Sequence, residues 1–280
     1  MMRFVITGHK GLIGSVLLDR LQKQGHIPVL CVDIREGESI GVMDKIEGIQ
    51  ADICFHLAAF CKINQSIENP DAPFIHNVVG TYKVLEFCRK NKIPKIVCTS
   101  SSRVLSKEKN TYTASKIYGE ELVQAYAQCY KMEYVIIRPS TVYGPFNDKT
   151  RRLVDLFIMN AIEGKELKVF GDENKTLDFT YIDDFIDGFV IAMQQKNQAF
   201  NIASGKSTRV IDVANMIIQW IGKGTKGFYD KEIAQPQDVV LDISALQKLG
   251  YEPKVGIEEG IKKTCEWYKE KYAMIKKSRE

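Results

Sequence analysis

Short apolar runs rich in β-formers alternate with amphipathic stretches of helical spacing through the first half of the chain, a rhythm that predicts βαβ units and a parallel sheet. Residues 3–7 predict the first strand, 12–24 a helix, 28–33 the second strand and 53–57 another. A helix over 77–90, a strand over 95–99, a helix over 112–130 and a strand over 134–138 follow, closed by a turn at Pro139. The stretch 34–52 is compressed and leaves room only for a stub of a third strand near Val42. After Gly144-Pro145 the rhythm loosens: a helix over 152–163, short strands over 167–170 and 199–202, and helices starting at Ile182, Val210 and Ile257. No Ser/Gly-rich linker or internal repeat interrupts this second part.

Composition narrows the class. At 280 residues, with 45% hydrophobic and 26% charged residues, the chain matches an ordinary packed globular protein. Its net charge of +4 is scattered and gives nucleic acid no footprint, and the ending Lys276-Lys277-Ser278-Arg279 reads as a solvated tail. Neither a signal-peptide pattern nor a run of roughly 18 apolar residues is present, so a cytoplasmic protein without membrane contact is expected. The 7 cysteines form no CxxC pair and read as reduced core residues. The 4 histidines share no helical spacing, so no metal site is expected.

Thr7-Gly8-His9-Lys10-Gly11-Leu12-Ile13-Gly14 lies between the first strand and first helix, where glycines let backbone amides approach a pyrophosphate at a helix N-terminus. Gly8 suits the tight turn, Gly11 leaves space for phosphate, and Gly14 lets the helix approach the sheet. Asp33, at the end of the second strand, is placed to accept hydrogen bonds from adenosine ribose hydroxyls and to repel a 2′-phosphate. NAD is therefore expected over NADP, although Lys10 and Arg35 lie near enough in sequence to meet such a phosphate.

Tyr112-Thr113-Ala114-Ser115-Lys116 opens a helix, and the four-residue offset puts phenol and ammonium on one face. A tyrosine, with a free pKa of about 10, needs such a neighbouring cation to act as a base near neutrality. Upstream, the strand over 95–99 runs into Ser100-Ser101-Ser102, gathering hydroxyls at the C-terminal end of a parallel strand, where open α/β sheets bind ligands.

With these segments the chain resembles the extended short-chain dehydrogenase/reductase family, and within it the NAD-dependent sugar-nucleotide epimerases and dehydratases of the UDP-glucose 4-epimerase type. The matching segments are TGHKGLIG, DICFHLAA, NVVGTYKVLEFC, TSSSRVL, YTASK, IIRPSTVYGP, TLDFTYIDD, FNIASG and LGYEPKVGIEEGI. The resemblance implies an α/β fold: a Rossmann-type doubly wound parallel sheet, residues 1–145 with parts of 178–203, and a smaller C-terminal α/β substrate lobe, 146–177 and 204–280, packed as one cooperative unit. It implies Tyr112 as base, Lys116 lowering its pKa, and Ser101 on the reacting oxygen. Cofactor contacts would come from Gly8, Lys10, Gly11, Leu12, Ile13, Gly14, Asp33, Ile34, Leu57, Ala58, Ala59, Asn77 and Thr99, with Tyr112, Lys116, Pro139 and Tyr143 nearer the nicotinamide. His56 is then a strand-end residue rather than a ligand. The substrate, a nucleotide sugar, would meet Ser101, Ser102, Thr141, Arg151 and Lys168. A homodimer through the helices near 78–90 and 113–130 is also implied.

The pattern has departures. Leu177 stands where nucleotide-sugar enzymes of the family carry an Arg before Asp-Phe, and Gln235 where another Arg precedes Pro-Gly-Asp. Thr141 replaces a common Asn. Lys149, Arg151, Arg152, Lys168 and Arg209 are the cations left to compensate. Ser102-Arg103 replaces the Asp-Glu pair of the resembling dehydratases, which favours epimerisation over loss of water. The alternatives are an NADPH-dependent reductase or reductase-epimerase, suggested by the likeness of Gly8-His9-Lys10-Gly11 to the turn of GDP-fucose synthases, and a catalytically idle dinucleotide-binding protein.

Overall fold

The computed structural model describes every residue except Glu38, Gln237 and Glu280, so Gln237 of the Gln235–Asp238 segment lies outside the described residues. The chain divides into two compact units: Met1–Pro139 with Ile186–Ile202 and Ile243–Tyr251, and Ser140–Phe185 with Ala203–Asp242 and Glu252–Glu280. The break thus falls at Pro139–Ser140 rather than at 145, and a segment from beyond 204 returns to the first unit.

Among the described residues of the first unit, six strands form one parallel sheet. Their spatial order is Ile27–Val32, Arg3–Thr7, Ile53–His56, Lys95–Thr99, Glu133–Pro139, Gln198–Ile202. This is the doubly wound order, with the change of direction beside the first strand. The central strands are buried on both faces, as helix-covered parallel sheets must be. Helix Leu12–Lys23 turns Leu12, Gly14, Leu17 and Leu21 inward at helical spacing. Helix Gly80–Lys90 buries Val84, Leu85, Phe87 and Cys88, and its last turn carries Arg89 and Lys90, the sign that suits a helix C-terminus. Phe4, Phe55 and Phe189 stack edge-on or tilted through one side of the core.

The expected third-strand stub near Val42 is a correction: Ile40–Lys45 forms a 3-10 helix. Only Met43 of that segment is buried, so it lacks the alternating apolar face a strand would need. The second strand, Ile27–Val32, is consequently an edge. It carries Pro28 and a bulge, since Phe4 pairs with Pro28 but Val5 already pairs with Leu30.

The second unit holds a three-stranded sheet, Ser207–Arg209, Thr176–Tyr181, Thr141–Tyr143, and a parallel pair, Thr225–Tyr229 with Glu166–Phe170. Its helices are Leu153–Ile162, Val210–Ile221 and Ile257–Lys277. Within Thr176–Tyr181 every residue after the first is buried. The fully buried Asp178 is tolerated there because its carboxylate accepts bonds from Ser204 N (2.9 Å), Ser204 Oγ (2.7 Å) and Gly205 N (3.0 Å). Asp184 likewise accepts from the amides of Lys254 and Val255.

Of the tail expected to be solvated at 276–279, Lys276, Lys277 and Ser278 are exposed, whereas Arg279 is a correction. The Arg279 guanidinium bonds the buried Asp155 carboxylate (2.6 Å) and Asn147, and Tyr268 Oη donates to the same Asp155. A buried carboxylate needs that pairing, which one helical turn of polar sequence does not reveal.

Candidate active site

The glycine turn leaves the first strand with Gly8 at φ +76°, the left-handed region that favours glycine. A Cβ there would lie 2.6 Å from the Ala58 amide nitrogen, so the turn is pressed against the end of a neighbouring strand. Leu57 and Ala58 donate their amides to Thr7 O (3.1 Å) and Thr7 Oγ1 (3.2 Å), fixing that approach. A Cβ on Gly14 would overlap the Gly8 carbonyl oxygen and lie 2.8 Å from His9 Cα. Gly11, the N-cap, meets only Gly8 O, at 3.3 Å, and is otherwise open. Helix Leu12–Lys23 has no side-chain cap and no acid in its first turn, so its N-terminal amides are left for an anion. The turn therefore fits a dinucleotide pyrophosphate.

Asp33 is buried, with Oδ2 accepting from Lys10 N (2.8 Å) and Oδ1 from Arg35 N (3.0 Å). These two amides orient the carboxylate. Asp33 is also a turn residue, capping the short 3-10 turn Ile34–Glu36. Ile34 and Ala59 are exposed at the rim, while Leu12 is buried and Ile13 half-buried.

At the end of the fourth strand, Thr99 Oγ1 and Ser100 Oγ are buried with no hydrogen-bond partner in the protein. Unpaired buried hydroxyls are costly, which marks this spot as one built to meet a ligand or water. Ser101 Oγ accepts from Arg103 N (3.2 Å) and so keeps its proton to donate. Helix Thr111–Tyr130 is capped by Asn110, whose side chain accepts from Thr113 N. On it, Tyr112 is buried and Lys116 Nζ donates to Thr99 O (3.0 Å). Burial pulls the Lys116 ammonium below its ordinary pKa.

Two buried residues brace this region. Asn77, inside a π-helical turn over Phe74–Val79, accepts from Phe60 N and donates to Phe60 O (3.0 Å) and Ser115 Oγ (2.9 Å). It ties the loop after the third strand to the Tyr112–Lys116 helix. His56 bridges Thr7 Oγ1 (2.8 Å) and Thr81 Oγ1 (3.2 Å), and burial holds its pKa at about 3 against 6.5, with the Lys116 charge adding. A depressed imidazole pKa means that the unfolded chain binds the proton first as pH falls through about 6.5. His56 therefore favours folding above that pH and loses its contribution progressively down to about 3. Relative to wild type, His56→Gln should flatten the pH dependence of unfolding free energy by about 2 kcal/mol between pH 6.5 and about 4.5, measured by denaturant titration.

The remaining candidates lie elsewhere. Pro139 ends the fifth strand in the first unit; Tyr143, Thr141, Arg151 and Lys168 belong to the second. Tyr143 is buried there, edge-on to Phe179 and Tyr181. Lys168 lies over the Tyr229 ring, Arg152 pairs with Asp148, and Arg209 pairs with Asp212 three residues on. Arg151 is exposed at φ +52°. Leu177 is a core residue, so that position offers no cation. The buried Lys175, on Phe170 O and near Glu232, was not foreseen, and neither was Glu36, which pairs with His9 and Lys10. Glu36 has a signal in hindsight, a carboxylate three residues past Asp33; Lys175 has none.

The family described as NAD dependent epimerase/dehydratase family has a model that matches residues 4–203. A UDP-glucose 4-epimerase of Mycolicibacterium smegmatis is 30% identical, over 96% of this chain and 99% of its own. A UDP-glucuronate 4-epimerase of Thermodesulfobacterium geofontis is 30% identical, over 92% and 84%. Among solved structures, a UDP-glucuronic acid 4-epimerase from Bacillus cereus, in complex with UDP-glucuronic acid and NAD, superposes with a TM-score of 0.86 at 26% identity, covering 96% of this chain and 99% of that one.

Proposed function

This chain belongs to the NAD dependent epimerase/dehydratase family, and from that premise we propose that it is an NAD-dependent 4-epimerase acting on a nucleotide-activated sugar. The observation that carries the reading is the convergence, at the C-terminal end of one parallel sheet, of the glycine turn, the oriented Asp33, the unpaired Thr99 and Ser100 hydroxyls, and Lys116 drawn to the end of the Thr99 strand.

Gly8, Gly11, Gly14 and the first amides of helix Leu12–Lys23 hold the pyrophosphate, and Asp33 the adenosine ribose. The chemistry that bound NAD would supply is reversible acceptance of hydride from the sugar carbon. Tyr112, one helical turn from Lys116, removes the proton of the sugar hydroxyl and later gives it back. The Lys116 ammonium stabilises the Tyr112 phenolate. Ser101 donates its proton toward the reacting oxygen, and Ser102 borders the sugar. Reorientation of the keto sugar in the site would invert the carbon with no net consumption of cofactor. Thr141, Arg151 and Lys168 serve the nucleotide end of the substrate.

Related enzymes named for UDP-glucose and UDP-glucuronate support a UDP-sugar as substrate. A homodimer through helices Gly80–Lys90 and Thr111–Tyr130 is supported by exposed Phe74, Ile75, Tyr82 and Tyr118 on and beside them. No helix among the described residues is long and apolar enough to cross a membrane.

Incubation with UDP-, dTDP-, GDP- and CDP-sugars, followed by product stereochemistry and absorbance of reduced cofactor, tests the proposal. Interconversion of C4 epimers without net NADH is the expected result. Steady consumption of NADPH would identify a reductase instead, and absence of turnover across the panel would sink the nucleotide-sugar reading.

A further inference from the structure

Asp33 is followed by a short 3-10 turn whose geometry is fixed. Glu36 N–H returns to Asp33 O (3.0 Å), Gly37 N–H returns to Ile34 O (3.1 Å), and Gly37 leaves at φ +79°. The turn brings the Glu36 carboxylate back over the glycine loop. There Oε1 lies 2.6 Å from Lys10 Nζ and Oε2 lies 3.0 Å from His9 Nε2, so one carboxylate engages two consecutive residues of the loop. The His9 ring is buried, and since Nε2 faces a carboxylate it is the nitrogen that carries the proton. The third basic group nearby, the Arg35 guanidinium, is turned onto the carbonyl of Lys10. The side chains that could greet a phosphate beside Asp33 are thus already engaged, two of them by Glu36.

An exposed ion pair such as Lys10–Glu36 contributes little to stability, and the buried His9 Nε2 needs an acceptor at position 36 but not a charged one. The effect of the Glu36 charge is on the ligand. A 2′-phosphate entering beside Asp33 would meet two carboxylates rather than one, and would have to take Lys10 from Glu36.

We propose that Glu36 is a second determinant of cofactor identity, acting with Asp33 to exclude NADP by withholding Lys10 from a 2′-phosphate. The inference rests on the NAD reading of the glycine turn and deepens it.

The test is calorimetric titration of NAD and NADP into the wild type, Glu36→Gln, Lys10→Met and the double variant, each first checked for an unchanged thermal melt. In E36Q the ratio of NADP to NAD affinity should rise about tenfold or more, the scale expected when Lys10 is released to form one charge-assisted bond to phosphate and one carboxylate repulsion is removed. The rise should shrink with added salt, and in the double variant, compared with Lys10→Met alone, it should fall to the smaller part that comes from the lost carboxylate repulsion. An unchanged ratio in E36Q, or a rise that is undiminished when Lys10 is also removed, overturns the inference. So does a wild type that binds both dinucleotides equally, although the dinucleotide site would then stand. A wild type that binds neither refutes the site itself and the inference with it.

Discussion

Tyr112→Phe is expected to lower epimerisation about a thousandfold, in the range of roughly 10²–10⁴ that a positioned acid-base group supplies. The ring is buried near the N-terminus of helix Thr111–Tyr130, and phenylalanine keeps its volume, so the packing survives. What is lost is the proton acceptor one turn from Lys116, whose ammonium is held at the end of the fourth strand by Thr99 O. Single-turnover measurement with bound NAD should show the loss in the chemical step, while calorimetric affinity for NAD stays near that of wild type. A variant with unimpaired turnover would remove Tyr112 from the mechanism.

Gly14→Ala and Gly11→Ala should separate folding from binding within one turn. At position 14 the new methyl collides with the backbone of Gly8 and His9, atoms that cannot rotate away, so a loss of about 3 kcal/mol or more in unfolding free energy is expected by denaturant titration. At position 11 the methyl meets only one carbonyl oxygen at 3.3 Å, and the stability cost should stay under about 1 kcal/mol. That methyl instead enters the space assigned to phosphate, so dinucleotide affinity should fall about tenfold or more while the fold persists. Equal stability losses in both variants would show that the turn is purely structural.

The parallel sheet was readable because its central strands are covered on both faces and appear as continuous apolar runs, and because helices Leu12–Lys23 and Gly80–Lys90 carry a clear buried stripe. The second unit was less readable for a specific reason. Thr176–Tyr181 is almost wholly buried yet contains Thr176, Asp178 and Thr180, so polar letters that signal a surface are here paired internally: Asp178 with the Ser204-Gly205 backbone, Thr180 with Ser140, and Thr176 with Asp238. The short strands Thr141–Tyr143 and Ser207–Arg209 are three residues each, below the length at which any alternation shows. At the site, the glycine turn, Asp33 and the Tyr112–Lys116 pair were legible because their spacing is local. The roles of Asn77, His56 and Glu36 were not, since each depends on partners that only folding brings together: Phe60 and Ser115, Thr7 and Thr81, His9 and Lys10. The fate of Arg279 was misread for the same reason, its partner lying 124 positions away.

The replacement of a third outer strand by the 3-10 segment Ile40–Lys45 has a consequence for solubility. It leaves Ile27–Val32 as a sheet border that another molecule's chain could in principle extend, the route by which folded proteins aggregate. Pro28 has no amide to offer an incoming strand, and the bulge beside it breaks the regular spacing that such a strand would have to match. The irregularity of this border therefore has a use: it is too uneven to serve as a template for an incoming strand.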